Sequence, residues 1–302
     1  MNRLGVIIPT KERSDRLRQL LLSISKQKIL PEQIIIIDSS KVPDDKITKE
    51  FPNLNILYKH IELNSLTKQR NFALGLLKND INLVCFLDDD ILLIEDALEN
   101  MLFFWEKAPF DLGGAVFNII NERKTKLWLL KQIFLSGSRR PGVVLRSGFN
   151  SKICSLEKTV STQWLFGGAT VWRRKIFDEF KLDEWFDGYG FCEDLDFSYR
   201  VAKKYKLCAL SNAKVLHKTV PLKTNDSFQF GISEVKNRFY FINKDQQYFS
   251  KFLFYYASFG KVLENTIMGI LNFNRNYIKQ VLGNLVGLNY VLFNWKGEKR
   301  DY

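Results

Sequence analysis

The chain has 302 residues, with 45 Lys and Arg against 33 Asp and Glu, a net charge of +12. A hydrophobic fraction of 46% beside 26% charged residues excludes a disordered chain and suffices for one large α/β domain with an extension, or two modest domains. The basic balance favours an anionic partner: a nucleotide phosphate, an anionic lipid surface or nucleic acid.

The N-terminal "MNRLGVIIPTKER" enters a strand pattern at once, without the apolar region of a secretory leader. Residues 4–8 read as a short buried strand ended by Pro9-Thr10. Ser14 or Asp15 is placed to cap a helix whose Leu17, Leu20, Leu21 and Ile24 recur at i, i+3, i+4 and i+7. The β-branched run 34–37 predicts a strand buried on both faces, ended by Asp38-Ser39-Ser40. A third strand is expected over 54–58, and a helix capped by Ser65 running through Leu77. The apolar run 83–87 predicts another strand, delivering Asp88-Asp89-Asp90, with a helix near 94–106. This alternation predicts an α/β fold with a mostly parallel sheet flanked by helices, in which ligands bind beyond the carboxyl ends of the strands. Pro9-Thr10, Asp38 and the three aspartates all stand at such ends.

The second half is less regular. Residues 126–151, containing "GSRRPGVVLRSGFNS", read as a long loop, and "WLFGGATVWRR" (164–174) as a strand carrying a glycine pair. "FCEDLDF" opens a helix with an acidic first turn, and "LCALSNAKVLH" is a strand that closes on His217. Cys85, Cys154, Cys192 and Cys208 are scattered with no CxxC pair, which predicts reduced, buried thiols in a cytoplasmic protein. No run of about 18 uncharged apolar residues is present to span a bilayer. The expected division is an α/β domain over 1–245 and an aromatic, basic helical tail over 246–302.

Three adjacent carboxylates repel one another and resist losing their water. A hard divalent cation would neutralise them and take phosphate oxygens alongside; a solvated loop whose Asp89 or Asp90 caps a following helix is the other reading. Neither GxxxxGK[ST] nor GxGxxG occurs to compete for phosphates. Glu193, Asp194 and Asp196 fit either a favourable interaction with a helix N-terminus or a general base held at a cleft. His217, one of only two histidines, is either a metal ligand or an ordinary surface residue.

Taken in order, "VIIPTKER…IIIIDSS…NSLTKQRN…CFLDDDI…WLFGGATVWRRKIF…WFDGYGFCEDLDFSYRVAKKY…NAKVLH" resembles the inverting nucleotide-sugar glycosyltransferases of family 2 over roughly residues 5–245. The resemblance implies a GT-A fold, a nucleoside-diphosphate sugar donor (UDP- or dTDP-sugars being commonest in bacteria) and Mn²⁺ or Mg²⁺. It implies that Pro9, Thr10, Asp38 and Arg13 hold the nucleotide, that Arg70 approaches its base or phosphates, and that Asp88 and Asp89 lie at the donor. It makes Asp90 and His217 metal ligands and Asp194 the catalytic base. Glu193 and Trp164 fall on the acceptor side, with Gly167 and Gly168 where donor and acceptor meet. Lys11 stands where the family usually has an aromatic residue, and "NSLTKQRN" lacks the family's glycine. The acceptor implied is a glycan or a polyprenyl-linked glycan.

Two other classes compete. A nucleic-acid binder would suit the charge, but basic residues are spread along the chain and no such motif is present, so no nucleic-acid partner is expected. A sugar nucleotidyltransferase would carry a Gly-rich basic loop after the first strand, and "PTKERSDR" has no glycine; a non-catalytic sugar-nucleotide-binding protein would leave the Glu193-Asp194 pair without a purpose. From Phe249 onward seven basic residues face three acidic ones among aromatic and aliphatic positions at helical spacing. This predicts helices lying in an anionic membrane interface at the inner face of the cell membrane, or a helical flap packed on the protein or on a second copy.

Overall fold

Every residue of β1 (Leu4–Thr10) and β2 (Gln33–Asp38) is buried, so these strands have no solvent face and read as unbroken apolar runs. The computed structural model describes residues 2–63, 65–122, 127–187, 190–218 and 224–295; Gly188 and Tyr189 of the "DGYGF" stretch and the tail charges beyond Trp295 lie outside them. Tertiary contacts divide the chain into two units, one of residues 1–124, 141–143 and 152–219 and a second of residues 125–140, 144–151 and 220–302. The division therefore falls at 219/220 and not at 245, and the segment read as a loop around 126–151 goes mostly with the C-terminal residues.

The first unit follows the expected alternation through α1 (Ser14–Ser25), the short α2 (Ile47–Glu50), β3 (Ile56–His60), α3 (Leu66–Leu74) and β4 (Leu83–Leu87). The third strand begins two residues later than expected. Neither expected cap forms: Ser14 is the first residue of α1, and Ser65 precedes α3 but bonds Thr67 Oγ1 at 2.9 Å instead of a backbone N–H. The inward face of α3 is polar as well as apolar, with Thr67, Gln69 and Arg70 buried beside Ala73.

After the aspartates the chain enters not a helix but the three-residue β5 (Ile91–Leu93), so neither Asp89 nor Asp90 caps a helix at this point; α4 (Ala97–Glu106) starts later. β6 (Leu112–Ile119), β7 (Val160–Thr162), β8 (Ala169–Arg173), α6 (Ile176–Glu179), α7 (Glu193–Ala202) and β9 (Lys206–His217) complete the unit. The sheet order is β3-β2-β1-β4-β8-β6-β9-β5, with β7 on β9. The β3-β2-β1-β4 half is parallel. β8 then runs antiparallel between β4 and β6, and β5 and β7 are antiparallel to β9, so the sheet is mixed rather than mostly parallel. The antiparallel β8 brings the Gly167-Gly168 turn to the same edge as the aspartates, because its first residue Ala169 is paired with Leu87. In the same way, β5 pairing sets Ile91 opposite His217. All four cysteines are buried.

In the second unit, part of the expected loop is the helix α5 (Trp128–Ile133), and the remainder is α8 (Thr224–Asn243), α9 (Lys251–Leu271) and α10 (Arg275–Phe293). Ser250 caps α9 and Asn274 caps α10 through their side-chain oxygens. Among the described residues no helix is long and apolar enough to cross a membrane.

Candidate active site

The parallel half of the sheet ends in a row of polar residues. Thr10 Oγ1, at the end of β1, donates to Asp89 Oδ2 at 2.7 Å. Asp38, at the end of β2, is buried and accepts from Ser40 N at 2.8 Å, Ser40 Oγ at 2.5 Å and the Tyr58 hydroxyl. Burial, helped by that carboxylate, pushes the Tyr58 hydroxyl pKa up. Asp38 is thereby held as an acceptor with its oxygens already engaged.

The three aspartates all face cations, Asp88 on Arg70, and Asp89 and Asp90 sharing Arg13. Asp88 Oδ1 accepts from Arg70 Nη2 at 2.8 Å. Asp89, deeply buried, accepts from Arg13 Nη1 at 3.2 Å; burial pushes its pKa up to about 6 against the pull of Thr10 and Arg13. Asp90 Oδ2 lies 3.7 Å from Arg13 Nη1 and 3.5 Å from Arg16 Nη1. Its Oδ1 is 3.4 Å from His217 Nε2, yet this oxygen is buried with no hydrogen-bond partner. On the other side of the ring, His217 Nδ1 lies 3.0 Å from Glu122 Oε1. Burial opposes the imidazolium, but the flanking Asp90 and Glu122 carboxylates prevail and raise its pKa to about 9. Asn121 fixes the His217 backbone, accepting from its N at 2.9 Å and donating to its O at 2.9 Å. A buried carboxylate oxygen without a bond, facing an imidazole nitrogen, is the donor set a divalent cation takes once it displaces the proton from His217 Nε2, so these residues fit one. Among the described residues no third His, Cys, Asp or Glu joins them as a closed cage.

The second acidic cluster is built on Arg70. This side chain is 1% exposed; its Nη1 donates to Glu193 Oε1 at 2.6 Å, while Nη2 donates to Asp88 and, at 3.1 Å, to the Gly167 carbonyl. One guanidinium thus ties β4's end, the glycine turn and the start of α7 together. Arg70 has both terminal amines engaged inside the protein, where the resemblance had implied that it approaches the nucleotide. Burial raises the Glu193 carboxyl to about 8 even though Arg70 pulls it down. Asp194, half-buried beside it, accepts from Gly167 N at 3.0 Å through Oδ2 and from Leu195 N at 2.7 Å through Oδ1. Burial raises the Asp194 pKa as well, with those two N–H groups opposing the shift. Asp196, by contrast, turns into the protein and pairs with Arg200 at 3.0 Å.

The glycine pair is demanded by space. A Cβ on Gly168 would lie 2.4 Å from Asp88 Oδ2, and one on Gly167 would lie 2.8 Å from Asp194 Cβ. The backbone of this turn can pass between the two acidic clusters only without side chains. Asp88 N closes the contact by donating to Gly168 O at 2.9 Å.

The Glycosyl transferase family 2 profile matches residues 5–180, more than half of the chain. The chain belongs to glycosyl transferase family 2. It is an enzyme of the transferase class, and it is 26% identical over 230 residues to "Uncharacterized glycosyltransferase YwdF" of Bacillus subtilis (strain 168), covering 76% of this chain and 79% of that one. Among solved structures it is similar to the mannosyltransferase PcManGT from Pyrobaculum calidifontis in complex with GDP-Man and Mn²⁺, at TM-score 0.59 and 13% identity over 97% of this chain and 88% of that one. It is also similar to S. aureus TarS 1-349 in complex with UDP-GlcNAc, at TM-score 0.53 and 14% identity over 98% and 93%. Against a longer S. aureus TarS chain, at TM-score 0.51 and 18% identity over 78% of this chain, it spans 40% of that length. These likenesses place the fold among GT-A glycosyltransferases.

Within this family 2 fold the structure brings Thr10, Arg13, Asp89, Asp90 and His217 together, and Arg70, Asp88, Gly167, Gly168, Glu193 and Asp194 together. Pro9 is buried in β1 beside Ile37, and Trp164 is buried ahead of the glycine turn. Three residues escaped the sequence reading. Arg16 lies one helical turn beyond Arg13, a spacing that could have found it. Tyr58 and Glu122 come to the site by strand pairing and a loop after β6, and nothing local to them signals it.

Proposed function

We propose that this family 2 enzyme moves a sugar from a UDP- or dTDP-sugar, with inversion, to a hydroxyl of a glycan or polyprenyl-linked glycan at the inner face of the cell membrane. The observation that carries the reading is Asp194: a half-buried carboxylate, oriented by two backbone N–H groups and raised in pKa, beside the aspartates at the strand ends. A general base works best when its pKa approaches the operating pH, and burial moves Asp194 that way. The UDP-GlcNAc and GDP-Man bound by TarS 1-349 and PcManGT support the donor class, and the Mn²⁺ in PcManGT supports a divalent metal.

In this reading Pro9, Thr10 and Asp38 receive the nucleoside at the ends of β1 and β2, with Arg13 and Asp89 behind them. Asp88 accepts from the ribose and Gly168 leaves room for the donor sugar. Asp90 and His217 would hold Mn²⁺ or Mg²⁺, which would supply positive charge to offset that developing on the departing diphosphate. Asp194 takes the proton of the acceptor hydroxyl as that oxygen attacks the anomeric carbon from the face opposite the nucleotide. Glu193 and Trp164 stand on the acceptor side, and Arg70 keeps Glu193 and Asp88 from moving apart. A single base suffices for one in-line displacement, which is why inversion follows.

The test is release of nucleoside diphosphate from UDP-, dTDP- and GDP-sugars, with and without Mn²⁺. Turnover of one donor class, dependent on metal and on Asp194, is expected. Absence of both binding and turnover across all three classes refutes the proposal.

A further inference from the structure

The hairpin of α9 and α10 has an inverted distribution of polarity. The buried positions of α10 are Gly283, Asn284, Gly287 and Val291, and those of α9 are Phe254 and Ala257 in its first turns and then Ser258, Gly260, Glu264, Asn265 and Gly269. Asn284 Nδ2 donates to Gly231 O and to Glu234 Oε2, both at 3.0 Å, and Asn265 Nδ2 donates to Asn284 Oδ1 at 3.2 Å. The glycines let backbones touch: a Cβ on Gly283 would lie 2.1 Å from the Phe228 carbonyl of α8. The exposed positions of α10 include Ile278, Leu282, Leu285, Val286, Leu292 and Phe293, beside Arg275, Lys279 and Asn289. In water the usual amphipathic helix does the reverse. Small residues and hydrogen-bonded polar groups between helices, with apolar residues outside, is the packing of helices in contact with lipid.

The tip of the hairpin repeats the pattern at higher cost. Ile270 and Leu271 are 63% and 67% exposed, and Phe273 is 95% exposed. Helix α9 ends there in a Schellman arrangement, with Asn274 N donating to Gly269 O and Phe273 N to Ile270 O. Phe273 occupies its left-handed position, at φ 48°, where glycine or asparagine is the low-energy choice. A bulky aromatic both strained and fully in water is a local conflict that folding alone does not explain.

We infer that the α9–α10 hairpin inserts shallowly into an anionic lipid surface, with Phe273, Ile270 and Leu271 leading and the outer face of α10 following. Charge complementarity selects this occupant. Over the two helices the chain has Lys251, Lys261, Arg275 and Lys279 against a single acid, Glu264, which is buried and paired with Lys131 at 3.1 Å. Neither helix therefore presents an exposed carboxylate to oppose a lipid phosphate, and Arg275 and Lys279 stand immediately behind the tip. Neither helix is long and apolar enough to cross, so the hairpin lies at the boundary of headgroups and acyl chains. This deepens the membrane part of the proposed function and is independent of its chemistry.

The test uses the full chain and vesicle flotation, with phosphatidylcholine alone and mixed with phosphatidylglycerol. The protein is expected to float with the mixed vesicles and to keep a fraction bound in high salt, because apolar insertion is not screened. Phe273→Asn and Leu285→Glu are each expected to weaken partition about tenfold or more. Phe273→Asn should melt no lower than the wild type, since asparagine tolerates the left-handed position, and both variants should turn over sugar nucleotide unchanged. A wild type that ignores both vesicles overturns the inference, whatever the variants do. So do variants that fold and float like the wild type. A dimer in sedimentation velocity that Leu285→Glu dissociates, without vesicle binding, assigns the face to a second copy and also overturns it. Loss of flotation with turnover kept leaves the proposed function standing; flotation without turnover of any donor does the opposite.

Discussion

Replacing Arg70 by methionine removes the cation that pairs with both Glu193 and Asp88 while keeping a long apolar stem. Arg70 is 1% and Glu193 5% exposed, so the carboxylate left behind has no water to turn to. Breaking a buried pair from one side costs about 3–5 kcal/mol. Asp88 is more exposed than Glu193 and contributes the smaller part, which places the expected loss at about 3–4 kcal/mol and the fall in melting temperature on the order of 10 °C. The loss depends on pH. The folded Glu193 carboxyl, near pKa 8, lies above the ordinary unfolded value of about 4.3, so the folded state keeps a proton that the unfolded state releases. Stability from this group is therefore full below about pH 4.3 and declines as pH rises towards 8. Without Arg70 the folded pKa climbs further and the decline continues to higher pH. Calorimetry of both proteins should show a deficit that is larger at about pH 9 than at about pH 6. A deficit below about 1 kcal/mol at the higher pH, or one equal at both, would refute the assignment of Arg70 as the neutralising group.

Asp194→Asn should keep donor affinity and lose transfer by about 10²-fold or more, read by nucleoside diphosphate release; a rate within a few-fold of wild type sends the search for the base elsewhere. In the wild type, the acid limb of kcat/KM should lie above the ordinary aspartate pKa of about 3.9, because Asp194 must be ionised and burial raises it; a limb at or below that value contradicts the assignment. Asp90→Ala should abolish the Mn²⁺ dependence of donor binding in calorimetric titration with little change in melting temperature, since the residue ends a strand outside the apolar core. Glu122→Gln should weaken Mn²⁺ binding about tenfold, measured by the paramagnetic signal of free Mn²⁺, as loss of the carboxylate orienting His217 would; unchanged affinity removes Glu122 from the site.

Local chemistry decided much of what could be read from the residues in order. Residues 34–37 are β-branched and apolar without interruption, and such a run is stable only with both faces covered, so β2 and its parallel neighbours were legible. The carboxyl-edge placement of Thr10, Asp38 and Asp88 follows from the strand ends themselves. The helical hairpin could be anticipated in outline, as aromatic and basic residues at helical spacing.

What the sequence left open depends on partners distant along the chain. Whether β8 and β9 ran parallel or antiparallel is not encoded in their apolar composition, yet it is the antiparallel β4–β8 pairing that sets Gly168 against Asp88. The resemblance marks Arg70 only as a residue that approaches the nucleotide, and it takes its 1% exposure and its bonds to Glu193, Asp88 and the Gly167 carbonyl to make it a strut between two acidic clusters. Glu122 lies 95 residues from His217 and carries no local mark of the hydrogen bond they share. The inverted polarity of α9 and α10 is likewise a property of which face packs inward: periodicity shows that a helix has two faces, and tertiary packing alone decides that the small and polar one is buried while the apolar one is left outside.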